Sequence, residues 1–113
     1  MTVTAKCAVE AKFLETAETN QYAAPAGVRV IIDKCTLTAP TATTAITLRI
    51  VPSGGTAGSS NTVLQPKTMT TSDPTYTCPE MVGQILNPGD FVSTLCTVAN
   101  SVVFRLSVRE ITN

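Results

Sequence analysis

Two residue types that often carry enzyme chemistry or ligand stacking are missing from this sequence. It contains no histidine and no tryptophan, and it has only two tyrosines. Without histidine the chain cannot build the Ser-His-Asp or Cys-His arrangements that activate many nucleophiles. Large aromatic rings are also too few for a platform that stacks sugars. The composition therefore predicts a non-enzymatic protein with no catalytic residue and no cofactor.

Charge is scarce as well. Eight basic and eight acidic side chains make up 14% of the 113 residues and cancel to a net charge of zero. Because a nucleic-acid-binding surface needs a basic face to neutralise phosphates, no nucleic-acid partner is expected. No stretch approaches the roughly 18 apolar residues of a membrane span, and the first residues lack the apolar segment of a signal peptide. Neither a membrane partner nor export is predicted.

The cysteines are not spaced as a metal site. They are Cys7, Cys35, Cys78 and Cys96. No two of them form a Cys-x-x-Cys pair, which structural zinc sites commonly use, so no metal site is expected. Without an export signal, reduced thiols packed as small core groups are the simplest interpretation. Cys7 alternates with Ala5 and Val9, and Cys35 lies in phase with Leu37, as such packing would require.

Threonine takes the place of the missing charge. Twenty of the residues are Thr, a β-branched residue that suits the pleated surface of a sheet. A surface coated with Thr is soluble, yet removing it from water against a partner costs less than desolvating charged groups. Charged residues are depleted at the centres of interfaces for this reason. The composition is therefore that of an all-β protein with a surface suited to protein contacts.

Alternation of apolar and polar residues runs through most of the chain and predicts strands. Over about the first twelve residues, the odd positions from Val3 to Phe13 would face the core, and Thr2, Thr4 and Lys6 would face outward. A second strand over 28–38 changes phase at Asp33 and Lys34, which indicates a β-bulge or a bend. Further strands are predicted at 45–52, 63–67, 76–78, 83–86, 91–97 and 102–112.

These strands are separated by turns and by two loops of small residues, 39–44 and 53–61. No stretch has a convincing helical pattern. About eight antiparallel strands of this length and spacing are typical of a β-sandwich. The sequence therefore predicts one all-β domain over residues 1–113, a single sandwich of jelly-roll type.

The tetrapeptide Asn87-Pro88-Gly89-Asp90 is predicted to be a structural turn. Pro88 fixes φ at the second position of a β-turn, and Gly89 supplies the positive φ that a type II turn needs at the third. Asp90 can then accept hydrogen bonds from backbone amides at the start of the next strand. Because backbone geometry explains all of these residues, Asp90 is not assigned a catalytic role, and Asn is expected to replace it at little cost.

Several short segments resemble small all-β structural proteins of phage virions. They are the "YAAPAG" turn before an apolar strand, the Thr/Ala loop, the "LRIVPSGG" segment, the "LNPGD" turn and the final "VREIT". In order and spacing they cover residues 22–112. The resemblance implies a virion component of sandwich or jelly-roll type, either a capsid decoration (cement) protein or a neck, tail or fibre accessory.

The resemblance leads to an expected function. We expect a decoration protein that binds the outside of a phage head, assembled in the host cytoplasm, with the major capsid protein or other virion proteins as partners. A homodimer or homotrimer is also expected on general grounds. The candidate contact residues are Thr2, Thr4 and Lys6 of the first strand and Ser53, Gly54 and Gly55 of the 53–61 loop. The alternatives are a tail, neck or fibre accessory, a secreted carbohydrate- or receptor-binding sandwich, and a small hydrolase.

Overall fold

The computed structural model describes residues 1–39 and 41–112, and nothing is described of the side chain of Gln65. The predicted 39–44 loop thus includes one residue outside the described part, Pro40, and the predicted 1–113 domain includes two, Pro40 and Asn113. The described regular structure comprises nine strands and one short 3-10 helix, Ser59–Asn61. The strands are β1 (Thr2–Phe13), β2 (Thr19–Ala23), β3 (Arg29–Thr38), β4 (Thr44–Val51), β5 (Thr62–Met69), β6 (Thr75–Tyr76), β7 (Ile85–Leu86), β8 (Phe91–Cys96) and β9 (Val103–Thr112).

The strands form two antiparallel sheets that pack face to face, so the predicted all-β sandwich is confirmed. One sheet has the order β1-β9-β3-β6, with β7 pairing the same central strand β3, and the other has the order β2-β8-β4-β5. The pairing is nested along the chain: β4 pairs with β5, β3 with β6 and β7, β2 with β8, and β1 with β9. The N-terminal half of the chain thus folds back along the C-terminal half.

The core between the sheets is built by strands with strict alternation. In β9 and at the position just before it, the predicted inward residues are all buried: Val102, Phe104, Leu106 and Val108. They face fully buried side chains of the second sheet, including Ile46, Leu48 and Val92. Full burial of one aliphatic side chain contributes roughly 1.5–3 kcal/mol, so these inward rows are the main source of stability.

The bulge predicted in β3 is confirmed. Ile32 lies opposite Val108 of β9, and Lys34 lies opposite Ser107, so Asp33 is the extra residue. Its carboxylate accepts a hydrogen bond of 2.8 Å from Nε of Arg109 on the neighbouring strand. The bulge shifts the alternation by one residue, and Cys35 and Leu37 return to the core, where both are fully buried.

The prediction for β1 is wrong in its phase over residues 2–7. Val3 lies opposite Ile111, whereas Lys6 lies opposite the buried Val108, and directly opposed residues share a face of the sheet. Thr2, Thr4 and Lys6 are therefore on the side turned towards the second sheet, and Val3, Ala5 and Cys7 are on the outer face.

The cause of that phase error is a β-bulge. Ala8 has no partner, because Cys7 opposes Ser107 and Val9 opposes Leu106. One extra residue moves every preceding side chain to the other face. Val9 is the only buried residue of the strand, and Cys7 is exposed. The prediction that Cys7 packs in the core is therefore wrong, while the other cysteines are buried.

Candidate contact surface at one end of the sandwich

The residues 87–90 form a closed β-turn at one end of the sandwich. The amide of Asp90 donates to the carbonyl oxygen of Asn87 at 2.9 Å, and Gly89 has a φ of +88°. A hydrogen bond across four residues with positive φ at the third is the type II arrangement. The amide of Gly89 and the carbonyl oxygen of Asp90 also bond the backbone of Ala24, at 3.0 and 2.9 Å. The turn is thereby fixed to the end of β2.

The Asp90 carboxylate holds two separate loops together. One oxygen accepts from the amide of Asn87 within the turn, and the other accepts from the amide of Ser53, each at 3.0 Å. The sequence predicted capping of the next strand; the structure instead shows a link to its own turn and to a loop 37 residues away in the sequence. Both carboxylate oxygens accept a backbone amide. Asn has only one side-chain oxygen, so it can replace only one of these two hydrogen bonds.

The loop that contains the other candidate residues is itself a tight turn. The amide of Gly55 donates to the carbonyl oxygen of Pro52 at 2.8 Å, and Gly54 between them has a φ of +77°. A Cβ on Gly89 would lie 2.4 Å from Oγ of Ser53, so the turns 52–55 and 87–90 are packed in direct contact.

The start of the chain reaches the same end of the molecule. A cavity of about 250 Å³ is lined by Met1, Gly27, Arg29, Asn87, Pro88 and Ile111. The first residue of the chain thus lies beside the 87–90 turn, which in turn contacts Ser53. Three elements that were predicted separately, the N-terminal strand, the 53–55 loop and the 87–90 turn, are neighbours at this end. We call them together the N-terminal end surface.

Lys6 takes part in a hydrogen-bonded cluster that joins β1 and β9 of one sheet to β2 of the other. Its Nζ donates to Oε2 of Glu110 on β9 at 3.2 Å, and the hydroxyl of Tyr22 on β2 donates to the same oxygen at 2.5 Å. The Tyr22 hydrogen bond is the main reason that the pKa of Glu110 lies below its ordinary value of 4.5; burial opposes this and Lys6 adds to it. Burial, and then Glu110, raise the pKa of Tyr22.

Two further polar networks were not foreseen from the sequence. Glu18 accepts hydrogen bonds from the hydroxyl of the buried Ser93 and from Nη1 of Arg49. Glu15 accepts from Nζ of Lys12 at 2.8 Å and from the amide of Gln21 at 2.9 Å. The hydrogen bonds to Lys12 and Gln21 outweigh burial and hold the pKa of Glu15 below its ordinary value. The Glu18 network links segments 31 and 75 positions apart in the sequence, so no local motif could have indicated it.

The free edge of β1 is the most extended exposed element of the described chain. β1 is the first strand of its sheet and pairs only with β9 there. Its outer face presents Val3, 49% exposed, and Phe13, 43% exposed, with the exposed Cys7 between them. An edge strand also presents unpaired backbone N–H and C=O groups, which can pair with a strand of another chain.

Other classes of site find little support in the described residues. Within 1–39 and 41–112, no three His, Cys, Asp or Glu side chains are grouped as metal ligands, and no helix is long and apolar enough to cross a bilayer. Compared with protein-family models, curated proteins and solved structures, the chain matches none.

Proposed function

We propose that this chain is a non-enzymatic structural component of a phage virion, and that it decorates the outside of the head. The observation that carries the proposal is the exposed edge of β1, a strand of 12 residues with apolar groups on its outer face. A decoration protein must bind an assembled shell of protein, and adding a strand to a neighbouring sheet gives affinity through backbone hydrogen bonds. The major capsid protein is the proposed partner.

The N-terminal end surface supports the same proposal. Met1 and the turn 87–90 line one cavity, and the 53–55 loop is fixed against that turn by Asp90. A rigid cluster of turns loses little conformational entropy on binding, which favours affinity. Together the end surface and the edge of β1 give the module two adjoining contact elements, as clamping neighbouring subunits of a shell requires.

The proposal includes a jelly-roll form for the sandwich. It is supported by the nested pairing of the strands, which is the order expected when one long antiparallel ribbon is wrapped into two sheets. Jelly rolls are common among capsid proteins. A second virion role, as a tail, neck or fibre accessory, uses the same contact elements and differs in the number of copies in each particle.

Purified particles test the proposal directly. We expect the protein in the virion in numbers that follow the subunits of the head shell, measured by quantitative mass spectrometry against the major capsid protein. A ring-like number of copies would assign it to the neck or tail instead. Absence from virions, together with failure to sediment with particles that lack it, would overturn both virion roles.

A matched pair of variants tests the role of the β1 edge. Val3→Lys places a charge on the outer face of the edge strand, and such charges discourage strand addition. Val98→Lys makes the same change at a valine that is 39% exposed, compared with 49% for Val3. Val98 follows the C-terminal end of β8 and is not part of the β1 edge. Both variants should melt as the wild type does. Only Val3→Lys should lose co-sedimentation with particles; equal binding by both would exclude the edge as the contact.

A further inference from the structure

The outer face of the five-stranded sheet carries four of the eight basic residues of the chain. In β9 the alternation that buries every second side chain turns Arg105 and Arg109 outward, and both are exposed. Residues directly opposed in a ladder share a face of the sheet. The exposed Arg29 and Lys34 of β3 lie opposite outward residues of β9 and are therefore on the same face. We call these four cations together the basic face.

The cations of the basic face are close neighbours. Lys34 lies opposite Ser107, the residue midway between the two arginines of β9. Arg29 lies opposite Ile111, two positions beyond Arg109. Diagonal neighbours on one face of antiparallel strands are about 7–8 Å apart, so the cations form a zigzag line along β3 and β9. Like charges at this spacing repel one another.

Nearby acids neutralise only part of this charge. The described strands of the sheet contain three acidic residues, Glu10, Asp33 and Glu110. Asp33 pairs with Arg109, whereas Glu110 is turned towards the second sheet, where it bonds β2. Among the described residues, neither Glu10 nor the other three cations of the face make an ion pair. The face thus has an excess of positive charge in a chain whose net charge is zero.

Aliphatic side chains lie among these cations. Ile31 of β3 lies between Arg109 on one neighbouring strand and Ile85 on the other. Ile85 is 53% exposed, and Val3, opposite the half-buried Ile111, is 49% exposed. Cations alone would suit any polyanion, whereas the aliphatic groups between them gain free energy only against an apolar surface.

We propose that the basic face binds a protein whose contact surface carries acidic side chains set among apolar ones. Complementary charge orients such a partner, and the aliphatic groups leave water when it docks. A second copy packed face to face does not fit, because it would bring the same cations together. A nucleic acid would leave the aliphatic groups uncovered, and a net charge of zero gives no general attraction to a polyanion. The inference goes beyond the proposed function, which uses the edge of β1 and the N-terminal end surface.

A random copolymer of glutamate and tyrosine is the probe, because it combines carboxylates with apolar rings. Polyglutamate and double-stranded DNA are the comparison ligands, since they carry negative charge without exposed apolar side chains. Titration of isotope-labelled protein at low salt should shift the amide resonances of β3 and β9, and the copolymer should bind more tightly than either comparison ligand. No binding of the copolymer, equal or tighter binding of DNA or polyglutamate, or shifts confined to other strands would overturn the proposal.

Charge reversal at single positions tests the face itself. Arg105→Glu and Lys34→Glu should each weaken copolymer binding by about fivefold, which corresponds to about 1 kcal/mol, the upper value for one exposed ion pair. Lys67→Glu is the matched control and should bind as the wild type does. Lys67 also makes no ion pair among the described residues, but it lies on β5 of the second sheet, above the ring of Tyr76.

Thermal melts of the three variants show whether each is folded. Where one is not, the map of amide shifts in the wild-type protein decides the matter. Equal loss of affinity in all three folded variants would indicate attraction by net charge alone, and unchanged affinity in Arg105→Glu and Lys34→Glu would exclude the face as the contact. Either result would overturn the proposal.

Discussion

Substitution of Gly89 by Ala is the sharpest test of the contact between the two turns. Gly89 has a φ of +88° in the third position of its turn. A Cβ there would lie 2.4 Å from Oγ and 2.8 Å from Cβ of Ser53. Real Cβ atoms do not approach other atoms so closely, so Ser53 would have to move, and its amide would leave the Asp90 carboxylate.

The expected loss has two parts. Placing Ala in a left-handed backbone conformation costs about 1–2 kcal/mol. Displacing Ser53 breaks its hydrogen bond to a charged carboxylate, and such bonds contribute about 1.5–3 kcal/mol. We therefore expect Gly89→Ala to lower the free energy of unfolding by about 3 kcal/mol. For a domain of 113 residues, each kcal/mol corresponds to about 4 °C, so the melting temperature should fall by roughly 12 °C.

Gly27→Ala is the matched control. Gly27 is likewise the third residue of a β-turn, 25–28, in which the Val28 amide donates to the carbonyl oxygen of Pro25. It has a φ of +74°, but nothing lies within 4 Å of a Cβ built on it. It should lose only the backbone part, about 1–2 kcal/mol. Urea unfolding of both variants, and of Gly89→Ala combined with Ser53→Gly, measures the difference. The reasoning is refuted if Gly89→Ala loses no more than Gly27→Ala, or if removing the Ser53 side chain restores nothing.

Three further predictions follow from the same contacts. Asp90→Asn should lose about 1 kcal/mol or more in urea unfolding, because one of two backbone amides would face an NH₂ group; wild-type stability would contradict the double link. The lowered pKa of Glu110 stabilises the fold above its ordinary value of 4.5, and this contribution is lost as the pH falls through the lowered value. Glu110→Gln should therefore flatten the fall in the free energy of unfolding at acid pH. Tyr22→Phe should reduce that fall as well, because it removes the hydrogen bond that is the main cause of the lowered pKa of Glu110. A maleimide should label native protein at Cys7 only, with the three buried thiols labelled after unfolding; native labelling elsewhere would contradict the burial.

Much of the fold could be predicted where one strand face is buried and the other is solvated. β9 and the first half of β3 satisfy that condition, so period-two alternation identified their inward residues. The bulge at Asp33 was also visible, because the apolar phase on both sides of it was clear. β2 was missed since its residues Thr19, Asn20 and Gln21 are polar, and Tyr22 is its only buried side chain. Polar pairing replaces the hydrophobic signal there, with Gln21 donating to Thr94 at 2.9 Å.

The site shows the same limit. The local geometry of 87–90 followed from Pro88 and Gly89, because turn chemistry depends on adjacent residues. Its contact with Ser53 could not be predicted, since the two turns become neighbours only after two sheets have formed. The Tyr22–Glu110 hydrogen bond spans 88 positions in the sequence. Single-sequence patterns carry no information about such pairs.

The error in β1 bears on the proposed function. Its sequence alternates cleanly, with Val3, Ala5 and Cys7 against Thr2, Thr4 and Lys6, as in a strand that buries one face. The bulge at Ala8 turns the polar row towards the second sheet, where Lys6 meets Glu110. The apolar row is consequently left on the outer face, where this chain does not cover it. A strand patterned for burial but exposed in the single chain is what contact with a neighbouring shell protein would require, because that neighbour would supply the missing cover.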